Sequence, residues 1–312
     1  MIYTVTLNPA IDKTVYLPNF CTGEVNRVRN FREDAGGKGI NVSKCLKALG
    51  AKSVAAVILA GDAGKHLEKL LRQEGVLLLP VQAQGQTRTN LKIVDTDAGK
   101  NTDINEPGPQ VGEDVLQTLL GALCSKILPG DIVVLSGSLP KGAGTDTYRR
   151  WTERFRSLDA RVILDADGQA MAEGIKGAPD MVKPNETELA RLLEHPMETE
   201  RQLIAGGKEL LAMGIGNAVI SLGGDGALFC WEDAVYRAEG LSVPVQSTVG
   251  AGDSMVAAMA YAMEKSLSRE QSIALAMAMG AASVMQSGSQ APDMDTVTKL
   301  CRKVKMKKLE NL

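Results

Sequence analysis

The sequence predicts an α/β fold in which helices cover both faces of a mostly parallel sheet. Three observations predict it. Short apolar runs recur along the 312-residue chain, stretches of helical periodicity separate them, and turns rich in glycine, serine and asparagine follow several of the runs. Strands that alternate with helices in this way are typical of parallel sheets.

The individual elements follow from the spacing of apolar residues. A stripe at i, i+3, i+4 and i+7 begins at Val42 and is closed by Gly50, and a second stripe runs from Val115 to Leu123. This spacing places the apolar side chains on one face of a helix. The apolar runs predict core strands at Ile2–Leu7, Val54–Leu59, Ile132–Leu135, Val162–Leu164, Met181–Val182 and Ala218–Ser221.

Two polar, turn-rich segments, residues 11–35 and 85–108, interrupt this pattern. In the second segment aliphatic and polar residues alternate, which places Arg88, Asn90 and Lys92 on one face of a strand. We predict a half-solvated antiparallel sheet with a cationic face. It is either a lid over an anionic ligand or an ordinary edge hairpin.

Composition restricts the function and the domain organisation. The net charge of −2 and isoelectric point near 5.9 argue against nucleic acid as a partner. Neither a signal peptide pattern nor an apolar stretch of about 20 residues is present, so we expect a cytoplasmic protein without a membrane partner. Without repeats or linkers, residues 1–312 predict a single domain with lid strands inserted at about 11–35 and 85–108. A solvated helix end is predicted at Lys303, Lys305, Lys307 and Lys308.

The segment Ser247–Ser254 carries the strongest chemical signal. A Gly-Ala-Gly turn at 250–252 opens into a helical stripe that begins at Met255. Free backbone amides at a helix N-terminus can bind a phosphoryl group during transfer. Asp253 lies in the first turn, where it either complements the helix dipole or takes part in chemistry.

A second glycine-rich segment, Asp34–Asn41, also leads into a helix. Its spacing matches neither a dinucleotide fingerprint nor a Walker A loop. Lys38 and Asn41 offer a cation and an amide to a ligand. Further polar turns follow predicted strands, where α/β sheets place their ligands. These turns are Ser136–Pro140, Lys183–Glu188 and Ser221–Gly226.

Together these motifs resemble the ribokinase-like family of sugar kinases, also called the phosphofructokinase B family. The resemblance covers essentially the whole chain and depends on two signatures, around Gly36–Gly39 and at Ser247–Ser254. It implies a three-layer α/β/α sandwich with a small β-sheet lid, ATP-dependent phosphorylation of a sugar hydroxyl, and a homodimer formed through the lid sheets.

The resemblance also implies roles for individual residues. Asp253 would deprotonate the acceptor hydroxyl, and Gly250, Ala251 and Gly252 would form the anion hole. The magnesium ion and its waters would be ordered by Asn185 and Glu188. The substrate site would contain Asp12, Gly37, Lys38, Asn41, Arg88 and Ser138, with Arg88 on the sugar phosphate. The ATP site would contain Lys183, Asn185, Ser221, Gly223, Asp225 and Gly226.

Within the family, the chain looks like the phosphosugar branch, through Thr6–Asp12, the lid strand and the turn at Ser136–Pro140. Fructose 1-phosphate is the first expected acceptor and tagatose 6-phosphate the second. Lys38 argues against the minor fructose 6-phosphate kinase, which carries glycine there. Two competing hypotheses are a kinase for an unphosphorylated sugar or a nucleoside, and a non-catalytic sensor of sugar phosphates.

Overall fold

The computed structural model describes residues 1–309, in which ten strands form one sheet and a further four form a smaller sheet. The large sheet has the order β14-β13-β12-β11-β10-β9-β8-β1-β4-β5. Its strands are parallel from β5 to β11 and antiparallel from β11 to β14. The strands are β1 Ile2–Thr6, β2 Ala10–Leu17, β3 Asn30–Gly36, β4 Ser53–Ala60, β5 Leu77–Ala83, β6 Arg88–Asp95, β7 Lys100–Asn105, β8 Ile132–Ser136, β9 Arg161–Asp165, β10 Met181–Val182, β11 Asn217–Ser221, β12 Gly226–Trp231, β13 Ala234–Glu239 and β14 Met306–Leu309.

Helices connect the parallel strands and cover both faces of the large sheet. They are α1 Lys38–Ala48, α2 Gly61–Gln73, α3 Glu113–Cys124, α4 Thr147–Arg156, α5 Gly168–Gly174, α6 Glu186–Leu193, α7 Glu200–Ala212, α8 Ala251–Lys265, α9 Arg269–Val284 and α10 Met294–Cys301. All six predicted core strands and both predicted helices are therefore confirmed, within one or two residues at the strand ends.

Strand β8 shows why the sheet is buried on both sides. Val133 and Leu135 pack in one apolar cluster, whereas Ile132 and Val134 pack in the other. Successive side chains of a strand point to opposite faces of the sheet, so a strand that is apolar on both faces must be covered by other elements on each side. The predicted three-layer sandwich with a mostly parallel sheet is confirmed.

The smaller sheet, which we call the lid sheet, has the order β3-β2-β6-β7. The prediction of an antiparallel sheet is wrong for its central pair, because β2 and β6 run parallel. Parallel neighbours need a crossover connection, and here the chain passes through β3, α1, β4, α2 and β5 between the two strands. The outer pairs, β2 with β3 and β6 with β7, are antiparallel.

The chain end differs from the prediction of a lysine-rich helix end. Helix α10 ends at Cys301, and Lys307 and Lys308 lie on strand β14 at the edge of the large sheet. Exposed lysines on an edge strand discourage pairing with another sheet. Within residues 1–309, no helix is long and apolar enough to cross a membrane. The single domain over residues 1–312 stays a prediction, and its last three residues lie outside the described part.

Candidate active site

A cleft of about 420 Å³ lies at the carboxyl ends of the parallel strands, below the lid sheet. Open α/β sheets bind their ligands at this edge. The cleft contains most of the residues that the sequence analysis assigned to four separate roles, namely catalysis, magnesium, substrate and ATP. Its lining is Gly37, Lys38, Asn41, Arg88, Asn90, Asp165, Lys183, Asn185, Glu188, Ser221, Val249, Gly250, Gly252 and Asp253.

Helix α8 begins at the floor of this cleft. Gly250 precedes the helix with φ +82°, a left-handed conformation that glycine adopts without strain. The first amides of a helix have no intrahelical acceptor, so the N–H groups that follow Gly250 can bind an anion. Asp253 follows in the first turn with its residue only 7% exposed.

Asn41 orients the carboxylate of Asp253. Its side-chain amide donates a hydrogen bond to Oδ2 of Asp253 over 2.8 Å, and its own Oδ1 has no partner among residues 1–309. The contact joins helix α1 to helix α8 across 212 positions of sequence. Asn41 was predicted to hold sugar hydroxyls, and its free acceptor oxygen is compatible with that role.

Burial, followed by the nearby negative charge of Asp165, raises the pKa of Asp253 from 3.8 to about 6. The hydrogen bond from Asn41 and the cations Lys38 and Lys183 act in the opposite direction. A general base functions best when its pKa lies near the working pH. The environment of Asp253 therefore gives a carboxylate that is ionised at neutral pH and more basic than an exposed one.

Two lysines share one buried carboxylate in the cleft. Lys38 Nζ lies 3.4 Å from Oδ1 of Asp165, and Lys183 Nζ lies 3.6 Å from the same oxygen. Burial lowers the pKa of Lys38, but the attraction of Asp165, Asp253 and further carboxylates outweighs this and raises it above its usual value. Lys38 is therefore a fixed positive charge at the working pH.

The predicted sugar-binding residue Asp12 lines a neighbouring cavity under the lid sheet and not the cleft itself. Its Oδ1 accepts a hydrogen bond from Asn90 over 2.9 Å. A Cβ on Gly36 would overlap the carboxylate of Asp12, so the glycine is required for this close approach. Burial raises the pKa of Asp12, while Asn90, Lys44 and Arg88 oppose the shift.

Arg88, at the start of strand β6, lines the cleft. Its guanidinium donates to the carbonyl oxygens of Asn8 and Glu106 over 3.1 to 3.3 Å. Burial lowers the pKa of Arg88, and Asp12 opposes this. Lys92, on the same face of β6, instead lines a cavity under the lid sheet and pairs with Asp103 at 3.5 Å. The polar face is thus present, and Arg88 and Asn90 are the part of it that lines the cleft.

A side cavity of about 160 Å³ adjoins the cleft and contains Ser138. Lys38 and Arg88 line both spaces. Three other side chains that line it, Thr6, Asn8 and Ser136, each have a buried oxygen without a hydrogen-bond partner in the described chain. Buried polar atoms are normally satisfied, so this set is suited to a polar or anionic ligand group.

Asn185 and Glu188 form a reciprocal cap on helix α6. Asn185 Oδ1 accepts from the amide of Glu188 over 2.8 Å, and Glu188 Oε2 accepts from the amide of Asn185 over 2.9 Å. Among residues 1–309, no group of three or more His, Cys, Asp or Glu residues could hold a metal ion. This donor set fits an ion such as Mg²⁺, which keeps several waters and takes other ligands from phosphates.

Only some of the predicted ATP-site residues line the cleft. Ser221 lines it, whereas Gly223 and Asp225 form the short turn that follows. Gly226, with φ +106°, starts strand β12. The space around Gly223 is open, since a Cβ there would meet no atom within 4 Å.

Sequence reasoning missed Asp165 and the oxygens of the side cavity. Asp165 ends strand β9 directly after the predicted run Val162–Leu164. A carboxylate at the carboxyl end of a predicted strand was the signal that could have identified it. Thr6 and Ser136 end strands β1 and β8 in the same way.

The arrangement combines a buried base, a helix N-terminus and several cations in one cleft. This combination can deprotonate a hydroxyl group and stabilise the charge of a transferring phosphoryl group. Nothing in that step requires a thiol or an imidazole.

Comparisons with known proteins agree with this chemistry. Residues 5–297 match the family described as pfkB family carbohydrate kinase. A curated 1-phosphofructokinase from Haemophilus influenzae is 36% identical over 99% of both chains. That of Escherichia coli K12 is 35% identical over 97% of both chains. The solved structure of phosphofructokinase-2 from Escherichia coli, in complex with substrates and products, is 30% identical and covers 97% of this chain and 98% of its own, with a TM-score of 0.92.

Proposed function

Because the chain belongs to the pfkB family of carbohydrate kinases, we propose that it uses ATP to phosphorylate a ketohexose phosphate, with fructose 1-phosphate as the first candidate. One observation carries the proposal. The buried base Asp253 and the cations Lys38 and Arg88 line the same cleft. A sugar that already carries a phosphate needs such cations, whereas an unphosphorylated sugar does not.

The choice of acceptor is supported by the relatives named 1-phosphofructokinase, which are 33% to 41% identical to this chain. Tagatose 6-phosphate is the second candidate, and fructose 6-phosphate is the third because of Lys38. A non-catalytic sensor of sugar phosphates would have no use for a base whose pKa is raised by burial, so the raised pKa of Asp253 favours an enzyme.

The proposed mechanism is direct in-line transfer. The acceptor hydroxyl gives its proton to Asp253, and its oxygen forms a bond to the γ-phosphorus as the bond from that phosphorus to the ADP oxygen breaks. The amides after Gly250 stabilise the oxygens of the transferring group, and Asn41 holds the base in place. On the acceptor side, Arg88 and the side cavity would bind the phosphate that the sugar already carries.

The proposed cofactor is Mg²⁺, held through water by Asn185 and Glu188. Bound there with ATP, it would neutralise charge on the phosphates. The two side chains fit this indirect role because their capping bonds fix them in one orientation. Lys183 and Ser221 would contact the nucleotide, and the open turn at Gly223–Asp225 would lie next to it.

We also propose a homodimer formed through the lid sheet. Large apolar side chains are exposed on this sheet, with Phe31 56% and Ile104 52% exposed. Exposed apolar residues that cluster on a surface are typical of protein–protein contacts. A related protein, phosphofructokinase-2 of Escherichia coli, has a tetrameric inhibited form, so sedimentation with and without MgATP is the appropriate measurement.

The test of function is an ADP-release assay with MgATP and four acceptors: fructose 1-phosphate, tagatose 6-phosphate, fructose 6-phosphate and free fructose. We expect the highest kcat/KM for fructose 1-phosphate. A higher value for tagatose 6-phosphate would reverse the order of acceptors and leave the kinase reaction intact. Preference for free fructose would contradict the role of the cations, and no turnover of any of the four would contradict the proposed reaction.

A further inference from the structure

Asp165 lies at the centre of the charged groups of the cleft, although neither the proposed base nor the proposed ligand contacts include it. Its residue is fully buried at the end of strand β9. Lys38 and Lys183 both approach its Oδ1, while Oδ2 has no hydrogen-bond partner in residues 1–309. The two lysines come from separate segments, since Lys38 begins α1 and Lys183 directly follows β10.

The two lysines that contact Asp165 differ in their other neighbours. A Cβ on Gly252 would lie 3.0 Å from Lys183 Nζ, so this ammonium lies against the backbone of the proposed anion hole. Lys38 lines both the cleft and the side cavity, whereas Lys183 lines the cleft and not the side cavity. Lys183 is therefore next to the proposed anion hole, and Lys38 is the one of these two lysines that also lines the side cavity.

A single carboxylate between two cations has a clear physical role. Lys183 is only 5% exposed, and a buried ammonium is costly without an opposite charge. The two ammonium groups also repel each other, and a negative charge between them offsets that repulsion. Asp253 adds a second negative charge to the cluster, and Glu188 and Asp167 also act on Lys38.

We propose that Asp165 is a positioning residue for phosphoryl transfer. Its carboxylate holds Lys183 beside the anion hole and Lys38 beside the acceptor. The inference rests on the proposed kinase function and adds to it a residue that acts through the two lysines. A role for Asp165 as a metal ligand is the competing outcome of the kinetic test.

The kinetic test compares Asp165→Asn with Asp131→Asn. Asp131 is also buried and accepts a backbone amide, from Leu128 over 2.9 Å, but it precedes β8 at the opposite edge of the sheet. For Asp165→Asn we expect kcat to fall about a hundredfold, since small displacements of positioning groups have effects of this size. KM for MgATP and for the sugar phosphate should change by less than about threefold, and Asp165→Glu should recover part of kcat. Asp131→Asn should lose stability only.

Two kinetic results would overturn the proposal. In the first, both Asn variants lower kcat to the same extent, which would indicate a general effect of removing a buried carboxylate. In the second, Asp165→Asn raises the Mg²⁺ concentration needed for half-maximal activity by about tenfold or more while saturating Mg²⁺ restores kcat, which would indicate a metal ligand.

A second readout does not depend on the identity of the sugar. Lysine acylation by a small reagent, followed by mass spectrometry, measures how well Lys38 and Lys183 are held in the protein without ligands. Both should be acylated faster in Asp165→Asn than in wild type, with no change in Asp131→Asn. Unchanged rates would refute the positioning role. If rates rise but wild type phosphorylates none of the four acceptors, the proposed function fails while the lysine contacts stand.

Discussion

The amide of Asn41 and the carboxylate of Asp253 form a 2.8 Å hydrogen bond that ties the glycine-rich start of helix α1 to the start of helix α8. The bond stabilises the charged form of Asp253 and so partly offsets the effect of its burial. The two glycine-rich segments that the sequence analysis treated separately are thus one unit. The basicity of Asp253 can be tested by changing either residue.

The first prediction concerns the pH dependence of the reaction. The acid limb of kcat/KM in wild type should have an apparent pKa of about 6, below which Asp253 is protonated and activity falls. Asn41→Ala removes a hydrogen bond that lowers this pKa, so its acid limb should move to higher pH. The measurement is kcat/KM between about pH 5 and 9. A limb that moves to lower pH, or stays in place, would contradict the assigned hydrogen bond.

The second prediction is that Asp253→Asn lowers the activity and raises the folding stability. It should lower kcat at least about a hundredfold. The pKa of Asp253 in the folded state is raised from 3.8 to about 6. Ionisation of this carboxyl group therefore lowers folding stability, fully above about pH 6 and not at all below about pH 4. The variant should therefore be more stable than wild type at pH 8, by up to about 3 kcal/mol. This gain should disappear as the pH falls through about 6 to about 4.

The measurement is urea unfolding of wild type and Asp253→Asn at several pH values. Asp233→Asn is the control with the opposite sign, because its pKa is lowered by the hydrogen bond from Arg269. That variant should be less stable than wild type at pH 8. Equal stability of wild type and Asp253→Asn across the pH range would show that burial does not perturb this carboxylate.

The third prediction separates the two substrates. Arg88→Ala should raise KM for the sugar phosphate about 10- to 100-fold, the value of one or two charge-assisted hydrogen bonds, and leave KM for MgATP nearly unchanged. Lys100→Ala is the matched control, since Lys100 is an exposed cation on strand β7 of the same lid sheet. Equal effects of the two variants would mean that only the overall charge of the lid matters.

The fourth prediction concerns the glycine next to the base. A Cβ on Gly252 would lie 3.0 Å from Nζ and 3.3 Å from Cε of Lys183, so Gly252→Ala should displace that side chain by a few tenths of an ångström. We expect kcat to fall about tenfold or more while the melting temperature changes little. The control is Gly121→Ala in helix α3, where the added Cβ meets no atom within 4 Å. This variant should gain about 0.5 to 1 kcal/mol of stability and keep its activity. Loss of activity in both variants would argue for a general effect on helices.

Much of the fold was predictable because its signals are local. The strands of the large sheet are continuous apolar runs, and helices α1 and α3 have regular stripes. The pairing of β2 with β6 was not predictable in the same way, because strand direction depends on the connection and not on the composition of either strand. The position of Lys307 and Lys308 on a strand depends on their pairing with β13, which no local pattern records.

The candidate site was predictable as a set of residues but not as an arrangement. Asp253, Lys38 and Arg88 were each identified from their segments, and the structure brings them to one cleft. The contact of Asn41 with the base joins positions 212 apart, and the contact of Lys38 with Asp165 joins positions 127 apart. Such contacts leave no trace in the spacing of a single sequence.

The parallel pairing of β2 with β6 also has a consequence for the order of folding. The two strands can meet only after the chain between them, residues 18–87, has closed a long loop through the large sheet. Contacts with such wide sequence separation form slowly, because the loop must lose its entropy before the pairing is gained. The pairing of β2 with β6 should thus form later than the short-range pairs of β2 with β3 and of β6 with β7. A refolding kinase would therefore join its lid from two pairs of strands that have already formed.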